Sequence, residues 1–569
     1  MTHSKILLVL LVVVGINYSN SLNNKFVWDD IHLIVENKFI KTAKNALTII
    51  NPKSFVQVIP DCPNVARPVW VLSAIFDYSI WGLNPFGHHL TNVLLHLLNC
   101  LLVYFFVYST VKNLSVSLMA GLIFAAHPVL TESVAVVGFR SDLLVVFFCL
   151  SGFLLFIKSA KSESNRSKIL YFIGANIFYV LGVLSKGMAI SLPLLFILYD
   201  YFFISQSKFS KLLLRLPWYI PYLILIVGYL WFLGPRFIYE IPTDLPHELK
   251  HLAVYTSPFT NLFTMSKVFA HYVYLFFFPL NLCADYIYMF PVSYSLYDFS
   301  VIISLTVLVV LISMVFVLLK KFRIVSFSIM WFFVTLIPVS NIIPIVNLAA
   351  ERYLYLPSIG FCMAAAAIFN KLFPKGYIKW TLLAVLITLY SVRTISRNKD
   401  WKDNFTLWTA TIRTSQSCPR AHYNLGNIYR EGQSYEQAID SYKKAIQYYP
   451  LYSKAYNNIG LTCVDMGNPD TGLEYIKQAI NIDPKNAEAY NNLGNIYFLK
   501  GEYNQALEMY KQTININPKI VSAYNNIGSI YFVRKDYENA IRNYNLVLKS
   551  DPNNLRALAN LKRAHDSSK

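Results

Sequence analysis

The sequence predicts an all-α protein in two parts: a polytopic membrane domain of about eleven helical spans, then a solenoid of helical repeats. Three observations carry this. Of 569 residues, 55% are hydrophobic and 14% charged, where soluble domains carry about a quarter charged. Apolar segments of helical length recur through residues 1–400. From Pro419 the composition turns polar and a 34-residue period sets in.

The first apolar segment, 6–16, is short against the roughly 20 residues a span needs. Lys5 before it and Asn17, Ser19 and Ser21 after it also suit a signal peptide. No Ala-x-Ala site follows, so an uncleaved anchor is expected. Further spans are predicted at 88–109, 115–126, 141–157, 169–185, 188–204, 216–233, 301–319, 326–343, 353–370 and 378–395. Basic loops between them hold Lys158, Lys161, Arg166 and Lys168; Lys208, Lys211 and Arg215; Lys320, Lys321 and Arg323; and Lys371, Lys375 and Lys379.

All four loops face the cytoplasm only if 265–279, which contains Lys267 and His271, is interfacial or re-entrant. The N-terminus is then inside and the C-terminus outside. Residues 21–70, 127–142, 185–187, 234–300 and 341–352 share the outer face, and most unusual charges with them. The formal charge of +19 reads as orientation signal and contact with membrane lipids. No basic stripe is interleaved with aromatics, so nucleic acid is not an expected partner.

The seven cysteines form no CxxC pair, which argues against a zinc or thioredoxin-like site. Cys100, Cys149 and Cys362 read as packing residues. A Cys62–Cys283 bridge requires both loops to face an oxidising compartment.

Beyond a linker at 401–418, four repeats span 419–552, and 553–569 form a capping helix and tail. Gly426, Gly460, Gly494 and Gly528 keep the period, as do Pro450, Pro484, Pro518 and Pro552. Ala438, Gly472, Ala506 and Ala540 fall where two helices approach closely. This is the tetratricopeptide pattern. Asn424, Asn458, Asn492, Asn526 and Asn560 recur in the same register and are expected on the concave face, where amides pair with peptide backbone; generic protein scaffolding is the alternative, since asparagine is common at this repeat position. Such a ladder resembles that of the cytosolic O-GlcNAc transferases.

The chemistry-bearing candidates lie in the membrane part. Asp29 and Asp30 close the run Phe26-Val27-Trp28-Asp29-Asp30, just past the first apolar segment. A carboxylate pair beside a bilayer, with no soluble catalytic domain, suggests chemistry on a substrate delivered by lipid. His89, Asn92, His96 and Asn99 share one helical face. They suit either interhelical hydrogen bonds or a wet cavity near His89. Glu132 and Arg140 lie in an outer loop, Lys186 stands at the outer end of a span, and Glu351-Arg352 at the outer mouth of another. Solvated or snorkelling charge is the plain alternative for each.

Together, Phe26–Asp30, Arg67-Pro68, Gly87-His88-His89-Leu90, His127-Pro128-Val129, Ser185-Lys186 and Ala350-Glu351-Arg352-Tyr353-Leu354-Tyr355-Leu356-Pro357, with the repeat tail, resemble the TMTC proteins. Those are transmembrane and tetratricopeptide-repeat O-mannosyltransferases of the GT-C superfamily. The short array points to a prokaryotic relative. Leu130, Phe139 and Gly187 depart from the family pattern.

The resemblance implies a GT-C membrane fold, a polyprenyl-phosphate sugar donor and extracytoplasmic protein acceptors. The site would be periplasmic in a bacterium or in the ER lumen of a eukaryote. It makes Asp29 and Asp30 catalytic. Arg352, Lys186, Arg140 and Arg67 are the donor-phosphate candidates, with Arg352 first because arginine binds phosphate bidentately. Glu351, Glu132 and His89 are supporting residues, and the asparagine ladder holds the acceptor peptide. No metal ligand cluster is visible, so metal-independent, inverting transfer without a cofactor is expected. The alternatives are a lipid-linked oligosaccharide ligase or polymerase, and a non-enzymatic membrane-anchored scaffold.

Overall fold

The computed structural model describes residues 2–50, 66–232, 257–343, 345, 347–374 and 376–568. Among them there is no β-strand. Two compact units divide after residue 416.

In the first unit, each of the eleven predicted segments overlaps a helix, though 326–343 runs past the helix end at Val339 and 353–370 crosses a turn at 355–357. Seven are long and apolar enough to cross a membrane, from His3–Asn23 to Gly376–Asp400. The segment at 115–126 belongs to a pair, Leu114–Ala126 and Pro128–Ala135, bent by 54°. The remaining three, Leu216–Trp231, Arg323–Val339 and Ser358–Leu372, are shorter apolar helices. The expected count of eleven is therefore seven on length and composition, or eight with the bent pair, among the described residues. Pro258–Phe277, expected not to cross, is a helix that does not meet the same test.

Small residues let these helices approach closely, as lipid-embedded packing requires. A β-carbon on Gly360 would sit 2.6 Å from the Ser328 carbonyl oxygen. The neighbouring Trp331 is fully buried and donates its indole N–H to the Leu356 carbonyl at 2.9 Å. The first helix is integral to this core: Ile6, Leu10, Val14 and Tyr18 are buried, and it packs on Pro85–Val111, Leu114–Ala126 and Gly376–Asp400.

Two features depart from the sequence reading. Pro68–Trp81 is a helix with no assigned role in advance, closed by Gly82 at φ +58 and ψ −129, a conformation that glycine tolerates. Residues 401–418 are not a linker. Trp401 is buried and Asn404–Thr414 is a helix of the first unit, opened by a capping box at Asp403 and packed through Leu407 and Trp408.

The second unit holds four helix pairs from Pro419–Glu431 to Tyr537–Ser550, then the Leu555–Ser568 helix. The periodic glycines are explained by packing. A β-carbon on Gly426, Gly494 or Gly528 would strike the ring of Tyr442, Tyr510 or Tyr544 at 2.5–2.6 Å. In the second repeat, a β-carbon on Gly460 would meet the Gly472 carbonyl oxygen at 2.8 Å.

The asparagine ladder joins repeats to each other. Asn458 donates to Asn427 Oδ1 at 2.8 Å, and Asn526 to Asn495 Oδ1 at 2.9 Å. Leu461 and Ser529 stand at the position equivalent to Asn427, and there the ladder turns to another asparagine. Asn492 donates to Asn457 at 3.0 Å and Asn560 to Asn525 at 3.1 Å. These amides bond neighbouring repeats to one another. Asn424, first in the row, makes no such bond among the described residues.

Candidate active site

The two acidic residues occupy different environments. Asp30 is fully buried, its Oδ1 accepting the Gly138 N–H at 2.6 Å and its Oδ2 the Val27 N–H at 3.2 Å. Gly138 admits this approach: a β-carbon there would lie 2.9 Å from Leu33 and 3.2 Å from Asp30 Oδ1. Burial pushes the Asp30 carboxyl up to about 7, against the pull of these amides, and the neighbouring Asp29 adds to the rise. Asp29 is half-buried and accepts no hydrogen bond from a described residue. It lines a cavity of about 260 Å³ with His32, Arg67, Asp142, Lys186 and Arg352.

Trp28 sets this division. Its φ of +50 lies in the left-handed region, which costs a residue with a β-carbon about 1–2 kcal/mol. Three contacts hold it there. Its N–H donates to Asn404 Oδ1 at 2.8 Å, and its ring meets Phe139 and Trp408 edge-on at centroid distances of 6.0 and 5.4 Å.

Three of the four predicted cations line the cavity with Asp29, and they are not equivalent. Arg352 is neutralised by Glu132, which takes its guanidinium at 2.5 Å and its backbone N–H at 2.7 Å. Burial acts to lower the Arg352 pKa, but Glu132, Tyr353, Asp29 and Asp142 together outweigh it and the net shift is upward. The guanidinium also stacks 4.2 Å over Phe139. Lys186 pairs with Asp142. Burial draws the Lys186 ammonium down to about 8, with the Arg67 and Arg352 charges adding to the fall and Asp142 opposing it. Arg67 has no carboxylate partner among the described residues. Among the described residues, Arg67 and Asp29 are thus the cavity charges held in no ion pair, although Asp29 acts on the Arg352 charge from across the cavity.

Arg140 is not at the cavity. It is buried to 1% exposure, pairs with Asp77, and donates to Asn92 Oδ1 at 2.7 Å and to the carbonyls of Ser73 and His88. It ties Pro68–Trp81, Pro85–Val111 and its own helix together, so it is a structural cation and not a phosphate ligand. Glu132 and Arg140, read as possibly solvated, are both buried.

His89 is buried away from the cavity lining. The polar face that it begins makes interhelical bonds: Asn92 to the Val134 and Val136 carbonyls, His96 to the Tyr355 hydroxyl at 2.7 Å, and Asn99 to the Leu143 carbonyl. Glu351 supports from behind, accepting from the Cys283 N–H at 2.6 Å, the Tyr286 hydroxyl at 2.9 Å and Arg397 at 3.3 Å. Burial raises its carboxyl to about 7. Cys62 lies outside the described residues, and with it the Cys62–Cys283 pairing. No group of three or more His, Cys, Asp or Glu able to hold a metal occurs among the described residues.

Tetratricopeptide-repeat family models match residues 419–451, 451–519 and 521–554. Along most of the chain the similarity is to protein O-mannosyl-transferases. A protein O-mannosyl-transferase of Caenorhabditis elegans is 26% identical over 459 residues, covering 79% of this chain and 63% of that protein. Human protein O-mannosyl-transferases TMTC3 and TMTC1 are each 27% identical, over 79% and 78% of this chain and 52% and 55% of their own. Over about four-fifths of its length the chain is similar to these TMTC protein O-mannosyl-transferases. It spans between about half and two-thirds of the length of these relatives. Among solved structures, a MamA protein aligns at 25% identity over 26% of this chain and 82% of its own, with a TM-score of 0.24.

In this chain the motifs Arg67-Pro68, Ser185-Lys186 and Glu351-Arg352 each bring a residue to the site. Sequence reasoning missed Asp77 and Arg397, the ion-pair partners of Arg140 and Glu351, and the pairing of Asp142 with Lys186. The available signal was charge inside apolar stretches, since such a charge demands a partner.

Proposed function

We propose that the membrane unit is an inverting glycosyltransferase. It moves a sugar, mannose by analogy with the names of its relatives, from a polyprenyl-phosphate donor to hydroxyl groups of extracytoplasmic protein acceptors. The repeat array holds those acceptors. One observation carries the reading: of the acidic pair, only Asp29 lines the cavity, and it does so unpaired beside three cations.

Asp29 then serves as the general base. It takes the proton of the acceptor hydroxyl as that oxygen bonds to the anomeric carbon. The bond from the anomeric carbon to the phosphate oxygen breaks on the opposite face, and the electron pair leaves with the lipid phosphate. A phosphate of low pKa needs no general acid. It needs positive charge where negative charge develops, and Arg67, with no counter-ion among the described residues, ranks first for that role. Lys186 and Arg352, each tied to a carboxylate, shape the cavity and add a smaller share. These cations supply the role a divalent ion would otherwise fill, so turnover is metal-independent.

The test is transfer by purified full-length protein from a panel of polyprenyl-phosphate sugars and nucleotide sugars, with and without chelator. Transfer from a polyprenyl-phosphate sugar alone, with inverted anomeric configuration and indifferent to chelation, supports the reading. Transfer from a nucleotide sugar, retention of configuration, or loss on chelation refutes the corresponding element.

A further inference from the structure

We infer that Asn404, on the helix immediately before the repeats, is a positioning residue for transfer, aiming Asp29 through the Trp28 backbone. The inference rests on the reading of Asp29 as the base.

Trp28 precedes Asp29 directly, so its backbone torsions set where the Asp29 carboxylate lies. Those torsions are unfavourable for a tryptophan: φ is +50 with no glycine to relieve it. A strained conformation persists only when its surroundings over-determine it. The Trp28 N–H has one hydrogen-bond acceptor, Asn404 Oδ1 at 2.8 Å. The same stretch is pinned again three residues earlier, where the Lys25 N–H donates to the Lys402 carbonyl at 2.9 Å. The Trp28 ring rests on Trp408, one helical turn beyond Asn404.

Asn404 is itself fixed. It is the first residue of its helix, after a capping box in which Asp403 accepts the Thr406 N–H at 2.9 Å. Its amide oxygen is therefore presented by a rigid helix start. Removing that oxygen leaves the Trp28 N–H unpaired and frees the turn to relax towards negative φ, carrying Asp29 out of line. Misplacement of a catalytic group by about 1 Å costs on the order of 10²-fold in rate.

The test compares Asn404→Ala with Asn404→Asp in the full-length protein, alongside Asp29→Asn. Aspartate keeps an acceptor oxygen at the same reach. Asn404→Ala is expected to lower kcat by about 10–10²-fold with KM for acceptor and donor changed little, and to speed amide exchange at Trp28. Asn404→Asp is expected to restore both. An unchanged kcat in Asn404→Ala, or failure of Asn404→Asp to restore it, overturns the inference. If Asn404→Ala does not fold, Asn404→Ser carries the same test, because its shorter side chain cannot reach the Trp28 N–H. Full transfer by Asp29→Asn would instead defeat the general-base reading. Amide exchange at Trp28 would still report whether Asn404 holds the turn.

Discussion

Glu132 grips Arg352 at two points, the guanidinium through Oε1 and the backbone N–H through Oε2. The pair is buried, so its members fail together. Arg352→Ala leaves a buried carboxylate uncompensated and is expected to destabilise the membrane unit by about 3–5 kcal/mol. Thermal unfolding in detergent checks this. An Arg352→Ala protein as stable as wild type would show that Glu132 does not depend on it.

Arg67 is expected to behave in the opposite way. Arg67→Ala removes a cation with no counter-ion among the described residues, so unfolding should shift by less than about 0.5 kcal/mol. The rate of sugar transfer should fall on the order of 10²–10³-fold, as for loss of one oxyanion donor. Steady-state kinetics on the two arginine variants, each corrected for its folded fraction, distinguishes a structural cation from one facing the leaving group.

Lys186 adds a pH dependence whose sign can be worked out. Its folded pKa of about 8 lies below the ordinary value near 10.4. Between those values the unfolded chain holds more protons than the native one. This term therefore stabilises the fold increasingly as pH rises through the window. The charge at the cavity moves the other way and is lost above pH 8. Transfer should decline above that pH while the protein stays folded. Lys186→Arg, which keeps its charge, should move the decline to higher pH. A pH–rate profile with parallel unfolding measurements checks both halves.

In the repeats, Asn458→Ala and Asn526→Ala each remove an inter-repeat bond and should cost about 1–2 kcal/mol of local stability. Asn424→Ala should cost less than about 0.5 kcal/mol. Hydrogen exchange resolved by repeat in the full-length protein measures the difference.

Much of this was legible in the sequence. Apolar runs and a fixed period report directly on helices and repeats, because burial in lipid and repeat stacking are both written one residue at a time. Asp29, Arg67, Lys186 and Arg352 were all singled out, and they converge on one cavity. What stayed hidden depends on pairing and backbone torsion. Arg140 looks like any site cation until Asp77, 63 positions away, is found against it. Asp29 and Asp30 are chemically identical neighbours, and the left-handed tryptophan directly before them is announced by no local pattern. The inter-repeat bonds of the periodic asparagines were hidden too, because side-chain identity does not reveal which neighbour an amide bonds.

The division of labour between Asp29 and Asp30 is the centre of the account, and one comparison tests it most directly. Single-turnover sugar transfer by full-length Asp29→Asn and Asp30→Asn would be measured beside the unfolding of each. Asp29→Asn should fold normally and lose on the order of 10²–10⁴ in rate. Asp30→Asn cannot accept both the Gly138 and Val27 N–H groups, so it should lose about 1–3 kcal/mol of stability yet transfer near the wild-type rate per folded molecule. Normal transfer by Asp29→Asn, or abolished transfer by a stably folded Asp30→Asn, would contradict the assignment.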